Sequence, residues 1–196
     1  MKKIYLTILF IVILSSCSGD KKEISIIQEK EINLQMIEAY NLGMKALEEG
    51  DGLSAAQKFN EAELIFPQSE WASKSSLMSA YSYYKDSYYG DAINELERFI
   101  DVYSKNKNIA YAHYLLGMCY YESIIDEKKD LGPLNKSKKQ FEYLLKNYPN
   151  TDYAADAKFK LDMIQEILAS KEMYIAKHYI KKQKWIAAIN RLKNII

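Results

Sequence analysis

Residues 39–67 read AYNLGMKALEEGDGLSAAQKFNEAELIFP and place small, aromatic and helix-ending residues at fixed spacing. The small residues Gly43 and Ala55 lie 12 positions apart, and Phe59 follows Ala55 by four positions. Small side chains let two helices cross closely, and an aromatic ring beside the crossing fills the space between neighbouring hairpins. Pro67 then prevents the second helix from continuing, because proline has no amide proton. The stretch therefore predicts a helical hairpin.

The same spacing recurs along the chain, and a fixed period of this kind predicts a repeat architecture. The recurring positions, unit by unit, are Leu42, Gly43, Ala46, Ala55, Phe59, Ala62 and Pro67; Ala80, Tyr83, Ala92, Leu96 and Phe99; Leu116, Gly117, Tyr120, Ser137, Phe141, Leu144 and Pro149; and Ile175, Ala176, Tyr179, Ala188, Leu192 and Ile195. This is the tetratricopeptide pattern, and no segment sustains the two-residue alternation of a strand. We therefore predict an all-α tetratricopeptide-repeat solenoid of about four repeats over residues 36–196. It is expected to be C-terminally truncated, because the fourth unit has no polar capping helix after it.

Three segments depart from the regular repeat. The small pair of the third unit is 20 positions apart instead of 12, so we expect a surface loop from an insertion near residues 126–136. An amphipathic helix from about Thr151 to Leu168 is expected to bridge the third and fourth units. Residues 17–35 are rich in Lys, Glu and Ser and hold too few apolar side chains for a core, which predicts a flexible tether.

The first residues have the layout of a bacterial lipoprotein signal. Lys2 and Lys3 precede an apolar run, and small residues stand directly before Cys17, so residues 1–16 are predicted to be a cleaved signal peptide. Leu14-Ser15-Ser16-Cys17 resembles the lipobox, which implies that Cys17 carries diacylglycerol and begins the mature chain. Two or more acyl chains give stable anchoring. Ser18, where inner-membrane lipoproteins often have aspartate, resembles outer-membrane sorting, so we expect a lipid-anchored protein on the periplasmic side of the outer membrane.

Composition and motifs argue against several functional classes. The formal net charge of the whole chain is +1, and no clustered basic face suggests nucleic-acid binding. His113 and His178 lie in different repeats without a companion histidine or suitably spaced cysteine pair, which argues against a metal site. No glycine-rich phosphate loop or Gly-x-Ser-x-Gly elbow occurs, so we expect neither catalysis nor a cofactor. Cys119 is expected to be a small buried residue.

Five segments carry a more specific resemblance than the repeat spacing does. They are PQSEWA at 67–72, LMSAYSYY at 77–84, ELERFI at 95–100, AYAHYLLGMCYYE at 110–122 and AAINR at 187–191. Over residues 39–196 the chain resembles the BamD family of lipoproteins of the outer-membrane β-barrel assembly machinery. The resemblance implies a non-catalytic scaffold. It also implies as partners the β-barrel insertase BamA, other lipoproteins of the assembly complex, and unfolded outer-membrane protein precursors.

Tyrosine is abundant, with 17 in the chain, and it combines apolar area with a hydroxyl group at a low entropic cost, which suits peptide recognition. Tyr83, Tyr120 and Tyr179 occupy a core position of the repeat and are expected to be structural. A stripe on the first helix of each hairpin is predicted to line a concave peptide-binding groove, formed by Tyr40, Tyr81, Tyr84, Tyr114, Met118 and Tyr121. The alternative is that these side chains are packing residues or are covered by an N-terminal segment.

Trp185, Asn190 and Arg191 in the last predicted helix are candidates for a partner interface. Trp and Arg often dominate interface energetics, and the resemblance implies that the family meets its insertase near this region. The alternative for Trp185 is packing between the helices of the last hairpin.

Two other functions remain open from the sequence. One is a different periplasmic repeat lipoprotein that coordinates cell-wall synthesis with envelope constriction. The other is the repeat region of a larger cell-wall hydrolase.

Overall fold

The computed structural model describes residues 21–124 and 131–195, with the side chains of residues 21–27 left aside. These residues form α1 (Lys21–Glu48), α2 (Gly52–Ile65), α3 (Glu70–Lys85), α4 (Tyr89–Val102), α5 (Ile109–Glu122), α6 (Gly132–Asn147), α7 (Asp152–Lys181) and α8 (Trp185–Lys193). Each helix packs against the next in sequence. We number the pairs α1–α2, α3–α4 and α5–α6 as hairpins 1 to 3, and the end of α7 with α8 as hairpin 4. The predicted all-α class is confirmed.

The repeat frame places its small residues where helices cross. A Cβ atom added to Gly43 would lie 2.9 Å from the Phe59 ring, and one added to Gly117 would lie 2.6 Å from the Phe141 ring. The alanines at the same position of the other two hairpins, Ala80 and Ala176, are fully buried. The small partners on the second helices are buried as well, namely Ala55, Ala92, Ser137 and Ala188.

The first helix differs from the expected tether, because it begins at Lys21 and not near residue 36. No glycine or proline occurs between Lys21 and Leu42 to end a helix, although few of these residues bury side chains. The side chains of residues 28–35 are exposed except for half-buried Asn33, and Met36 is the first one fully buried. The segment before the core is therefore helical from Lys21 onward.

One continuous helix replaces the two that were expected after residue 150. Thr151 caps α7 by accepting a hydrogen bond from the Ala154 amide at 3.2 Å, as its sequence signal suggested. The helix then runs for 30 residues to Lys181, because residues 168–175 contain no glycine or proline. Its first half buries Ala157 and Ile164 against hairpin 3, and its second half pairs with α8.

The insertion loop expected near residues 126–136 does not extend to residue 136. Residues 132–136 belong to α6, because Pro133 suits the first turn of a helix, where no amide donor is needed. Residues 126–130 lie outside the described residues. None of the described helices is both long and apolar enough to cross a membrane.

Candidate functional site

A groove with a volume of about 380 Å³ opens between the first helices of successive hairpins. Its walls come from α3, the start of α5 and the start of α7. The lining residues are Lys74, Leu77, Met78, Tyr81, Asn108, Tyr111 and Tyr153. The volume lies within the range of binding clefts, about 300–1,000 Å³, and the mixture of aromatic walls with a few polar groups is typical of such sites.

Aromatic contacts hold the wall formed by α5 and α7. The Tyr153 ring lies 5.3 Å from the Tyr111 ring and 5.4 Å from the Tyr114 ring, measured between centroids. The Tyr114 hydroxyl donates a hydrogen bond to Oδ2 of Asp156 at 2.8 Å. Burial raises the pKa of Tyr111 and of Tyr114, so both phenols are neutral and can donate. These contacts fix the start of α7 beside α5.

A lysine lies over two aromatic rings at the hairpin 1 end of the groove. The Lys74 ammonium is 4.8 Å from the centroid of Tyr40 and 4.5 Å from that of Trp71. The Tyr40 and Trp71 rings meet edge to face at 5.0 Å. No carboxylate among the described residues forms an ion pair with Lys74. The groove therefore carries a positioned positive charge that an anionic group of a ligand could approach.

Two residues predicted to line the groove are buried instead. Tyr40 is 6% exposed, because it packs on Phe59 on one side and under Trp71 on the other. Met118 is 8% exposed and packs in the core cluster of hairpin 3 and α7. Both predictions were wrong in the same way. The stripe also faces the second helix of its own hairpin and the element that follows: Phe59 and Trp71 cover Tyr40, and α6 and α7 cover Met118.

The other four predicted tyrosines are half-buried and have different surroundings. Tyr81 lies in the groove wall. Tyr114 and Tyr121 contact α7, the former through Asp156 and the latter under the Lys160 ammonium, 5.1 Å from the ring centroid. Tyr84 packs between two core clusters and lies 6.0 Å from Tyr89. Their role in binding stays a prediction, with Tyr81 the best placed.

Several lining residues were not selected from the sequence. Lys74 and Tyr111 occupy the same repeat position, 37 residues apart; Lys74 lies seven residues, or two turns, before Tyr81, and Tyr111 lies three residues, or one turn, before Tyr114. Extending the stripe toward the N-terminus of each helix would have found both. Asn108 and Tyr153 stand at helix starts, and no repeat spacing indicated them.

The predicted C-terminal interface residues lie on or beside the surface. Trp185 is 59% exposed and does not pack inside hairpin 4. Arg191 is half-buried and its Nη1 donates to Oε1 of Glu172 at 3.3 Å. Arg191 and exposed Asn190 line a cavity of about 290 Å³. An exposed tryptophan at the start of the helix that carries these polar groups is consistent with a protein contact, which stays a prediction.

Two residues for which the sequence analysis expected no functional role, His113 and Cys119, are packing residues. His113 donates a hydrogen bond from Nδ1 to Oε1 of Gln140 at 2.8 Å and stacks on Tyr143, with centroids 4.2 Å apart. Burial raises the pKa of the Cys119 thiol to about 12, so this cysteine stays protonated. Within residues 21–124 and 131–195, no three His, Cys, Asp or Glu side chains are grouped as metal ligands.

Comparison with known proteins gives a consistent family assignment. The model of the YfiO family, described as an outer membrane lipoprotein, matches residues 33–196. The outer membrane protein assembly factor BamD of Caulobacter vibrioides is 36% identical over 93% of this chain and 59% of its own length. That of Rickettsia prowazekii is 37% identical over 80% of this chain and 62% of its own length. The chain thus spans about three fifths of these relatives.

A more distant relative and a solved structure extend the comparison. The BamD of Neisseria gonorrhoeae is 31% identical over the full chain and 77% of its own length. The TPR2AB-domain:pHSP90 complex of yeast Sti1 superposes with a TM-score of 0.52 at 18% identity, covering 82% of this chain and 63% of that one. The superposition supports the tetratricopeptide fold alone.

Proposed function

The chain belongs to the YfiO family of outer membrane lipoproteins, and we propose that it is a non-catalytic scaffold in the assembly of outer-membrane proteins. Relatives that are 36% and 37% identical carry the name outer membrane protein assembly factor. The lipobox at Cys17, which lies outside the described residues, fits a role at the membrane surface.

The chemistry of the groove supports the proposal that its ligands are unfolded outer-membrane protein precursors. Tyr81, Tyr111 and Tyr153 offer apolar and stacking area to a peptide in an extended form. Lys74 offers a positive charge at one end, held above two rings. Barrel precursors end in an aromatic residue that carries the terminal carboxylate. Its ring could pack on the aromatic wall while its carboxylate approaches the Lys74 ammonium group. The single observation that carries the proposal is this pairing of tyrosines with Lys74.

The affinity for such a peptide should be modest. An unfolded segment must be ordered on binding, which offsets part of the contact energy, so a micromolar Kd is expected, equivalent to about −8 kcal/mol. A synthetic peptide with a C-terminal phenylalanine is titrated into the protein by isothermal calorimetry. An amidated copy of the same peptide removes the carboxylate.

Two groove variants and one control variant test whether this peptide binds in the groove. Tyr81→Ala and Lys74→Gln should each weaken binding by about tenfold, with unchanged helical circular dichroism. Tyr88→Ala removes an equally large ring that is 44% exposed outside the groove, and it should bind like wild type. The Lys74→Gln variant should also lose the preference for the free carboxylate. Unchanged affinity in both groove variants would place the receptor surface elsewhere.

For the second partner, we propose that α8, through Trp185, Asn190 and Arg191, contacts the insertase BamA, alongside other lipoproteins of the complex. Large exposed aromatic side chains often anchor such interfaces. Pull-down of native complexes from Trp185→Ala cells should lose the insertase, whereas Phe159→Ala, which removes a ring 72% exposed on α7, should retain it. Recovery of envelope-constriction proteins without any insertase would support the alternative repeat lipoprotein instead.

A further inference from the structure

The junction between hairpins 1 and 2 contains a charged cluster around one buried carboxylate. Glu63, near the end of α2, is 7% exposed. It accepts two hydrogen bonds from Arg98, from Nη1 to Oε1 at 2.8 Å and from Nη2 to Oε2 at 2.6 Å. The Tyr103 hydroxyl donates a third, to Oε1 at 2.7 Å. Burial and this bond to Glu63 raise the pKa of Tyr103 to about 12, so its hydroxyl remains a donor.

The guanidinium of Arg98 joins three helices. Besides Glu63 of α2, it donates to Oγ of Ser76 in α3 at 3.0 Å and to Glu95 in its own helix α4 at 2.8 Å. Hydrogen bonding to Glu63 raises the pKa of Arg98, so the charge is permanent. A planar guanidinium with a two-pronged carboxylate contact restricts rotation as well as distance.

The equivalent positions at the junction between hairpins 2 and 3 are not bridged by charge. At the next junction the repeat frame replaces Glu63, Ser76 and Arg98 by three residues, Ile100, His113 and Tyr143. His113 and Tyr143 make a ring contact there. Among the ion pairs of residues 28–124 and 131–195, Arg98–Glu63 joins two hairpins and the others lie within one.

We propose that Arg98 is a positioning residue that sets the angle between hairpins 1 and 2, and with it the placement of Tyr40 on α1 against Lys74, which lines the groove from α3. Apolar packing alone tolerates small rotations, whereas a two-pronged contact of the partly exposed Arg98 guanidinium with the buried Glu63 carboxylate has one preferred orientation. Tyr40 on α1 and Trp71 on α3, which hold Lys74, lie on the helices whose relative placement this pair controls. None of the groups bound by Arg98 belongs to the groove. The expected effect of Arg98 on ligand binding rests on the proposed function, whereas its expected effect on the angle between the hairpins does not.

Electron spin distance measurements on the full lipidated chain test the angle. One label pair, at Gln57→Cys and Asp101→Cys, spans the junction from α2 to α4, and both sites are exposed. The control pair, at Asp101→Cys and Lys139→Cys, spans hairpins 2 and 3. The thiol of Cys119 is buried and protonated and should resist labelling.

Arg98→Met keeps an apolar side chain of similar length and removes the two-pronged contact. It should shift and broaden the first distance distribution and leave the control pair unchanged, while Arg98→Lys should give an intermediate result because an ammonium is a point charge. An unchanged first distance would overturn the proposal. If circular dichroism shows that Arg98→Met is unfolded, Glu63→Gln is measured in its place, and an unchanged distance there would overturn it equally.

Peptide titration of the same variants separates the two proposals. Arg98→Met should weaken binding of the phenylalanine-ended peptide by about threefold or more, although it touches no groove residue. A shifted angle with unchanged affinity would retain Arg98 as a positioning residue and would contradict the groove as the receptor. Weaker affinity with an unchanged angle would overturn the positioning role.

Discussion

Gly117 and Phe141 are so close that a Cβ atom on the glycine would lie 2.6 Å from Cε1 of the ring. The backbone of α5 thus packs directly on a side chain of α6. Gly43 and Phe59 repeat this relationship in hairpin 1, with a separation of 2.9 Å. The distance between the two helices of hairpins 1 and 3 therefore depends on the absence of one methyl group.

Gly117→Ala should destabilise the protein, because either the Phe141 ring or the α5 backbone must move. Overpacking of this kind costs about 1–3 kcal/mol in the free energy of unfolding, and Gly117→Leu should cost more. Gly90→Ala is the matched control, since a Cβ there meets no atom within 4 Å. Chemical denaturation measures both. Equal midpoints for the two alanine variants would contradict the assigned repeat register.

Ser75 and Ser76 are adjacent, fully buried and predicted to respond oppositely to alanine. The Ser75 hydroxyl has no hydrogen-bond partner among the described residues, as is also true of Ser79, whereas Ser76 accepts from Arg98. Ser75→Ala removes an uncompensated polar group, so the free energy of unfolding should stay equal or rise by about 1 kcal/mol. Ser76→Ala should lower it by about 0.5–1.5 kcal/mol. A larger loss for Ser75→Ala than for Ser76→Ala would refute this assignment.

The buried imidazole of His113 should make the fold less stable in acid. Burial lowers the pKa of His113 below its ordinary value of 6.5, and its bond to Gln140 opposes this only in part. As pH falls, the unfolded chain therefore takes up the proton first, so stability present above the ordinary pKa is lost as pH drops below it. His113→Gln should flatten the decline in unfolding free energy between about pH 7 and pH 5. Parallel curves for the two proteins would show that other groups cause the decline.

Cys17→Ala should abolish membrane anchoring, because no thioether or amide lipid can form on alanine. The variant should appear as an uncleaved precursor or as unanchored periplasmic protein after membrane fractionation. Ser16→Ala keeps a small residue beside the cleavage site and should behave like wild type. Outer-membrane retention of the Cys17→Ala variant with unchanged mobility would exclude the lipoprotein prediction.

The repeat frame could be predicted from the sequence, because each helix crossing requires a particular type of residue at a fixed position. A close helix crossing needs a small residue, and Gly43, Ala80, Gly117 and Ala176 stand at the same position of four units. The structure buries or closely packs each of them. The signal for Cys17 is likewise a short linear motif, readable without a fold. Helix ends were less predictable where no glycine or proline marks them, as in α1 and α7.

Exposure of the tyrosines depended on tertiary structure. Tyr40 on α1 and Tyr81 on α3 belong to the predicted stripe that recurs on the first helix of each hairpin. Trp71 of the following hairpin nevertheless covers Tyr40, whereas Tyr81 remains in a groove wall. Spacing within one helix says which face a side chain occupies but not which neighbour lies over that face. The Arg98–Glu63 pair joins residues 35 positions apart in different hairpins, and no periodic pattern links them. The sequence alone determined where helices cross, because crossings need particular side-chain sizes. Only the tertiary structure decided what each helix face meets, because that depends on the angle between hairpins.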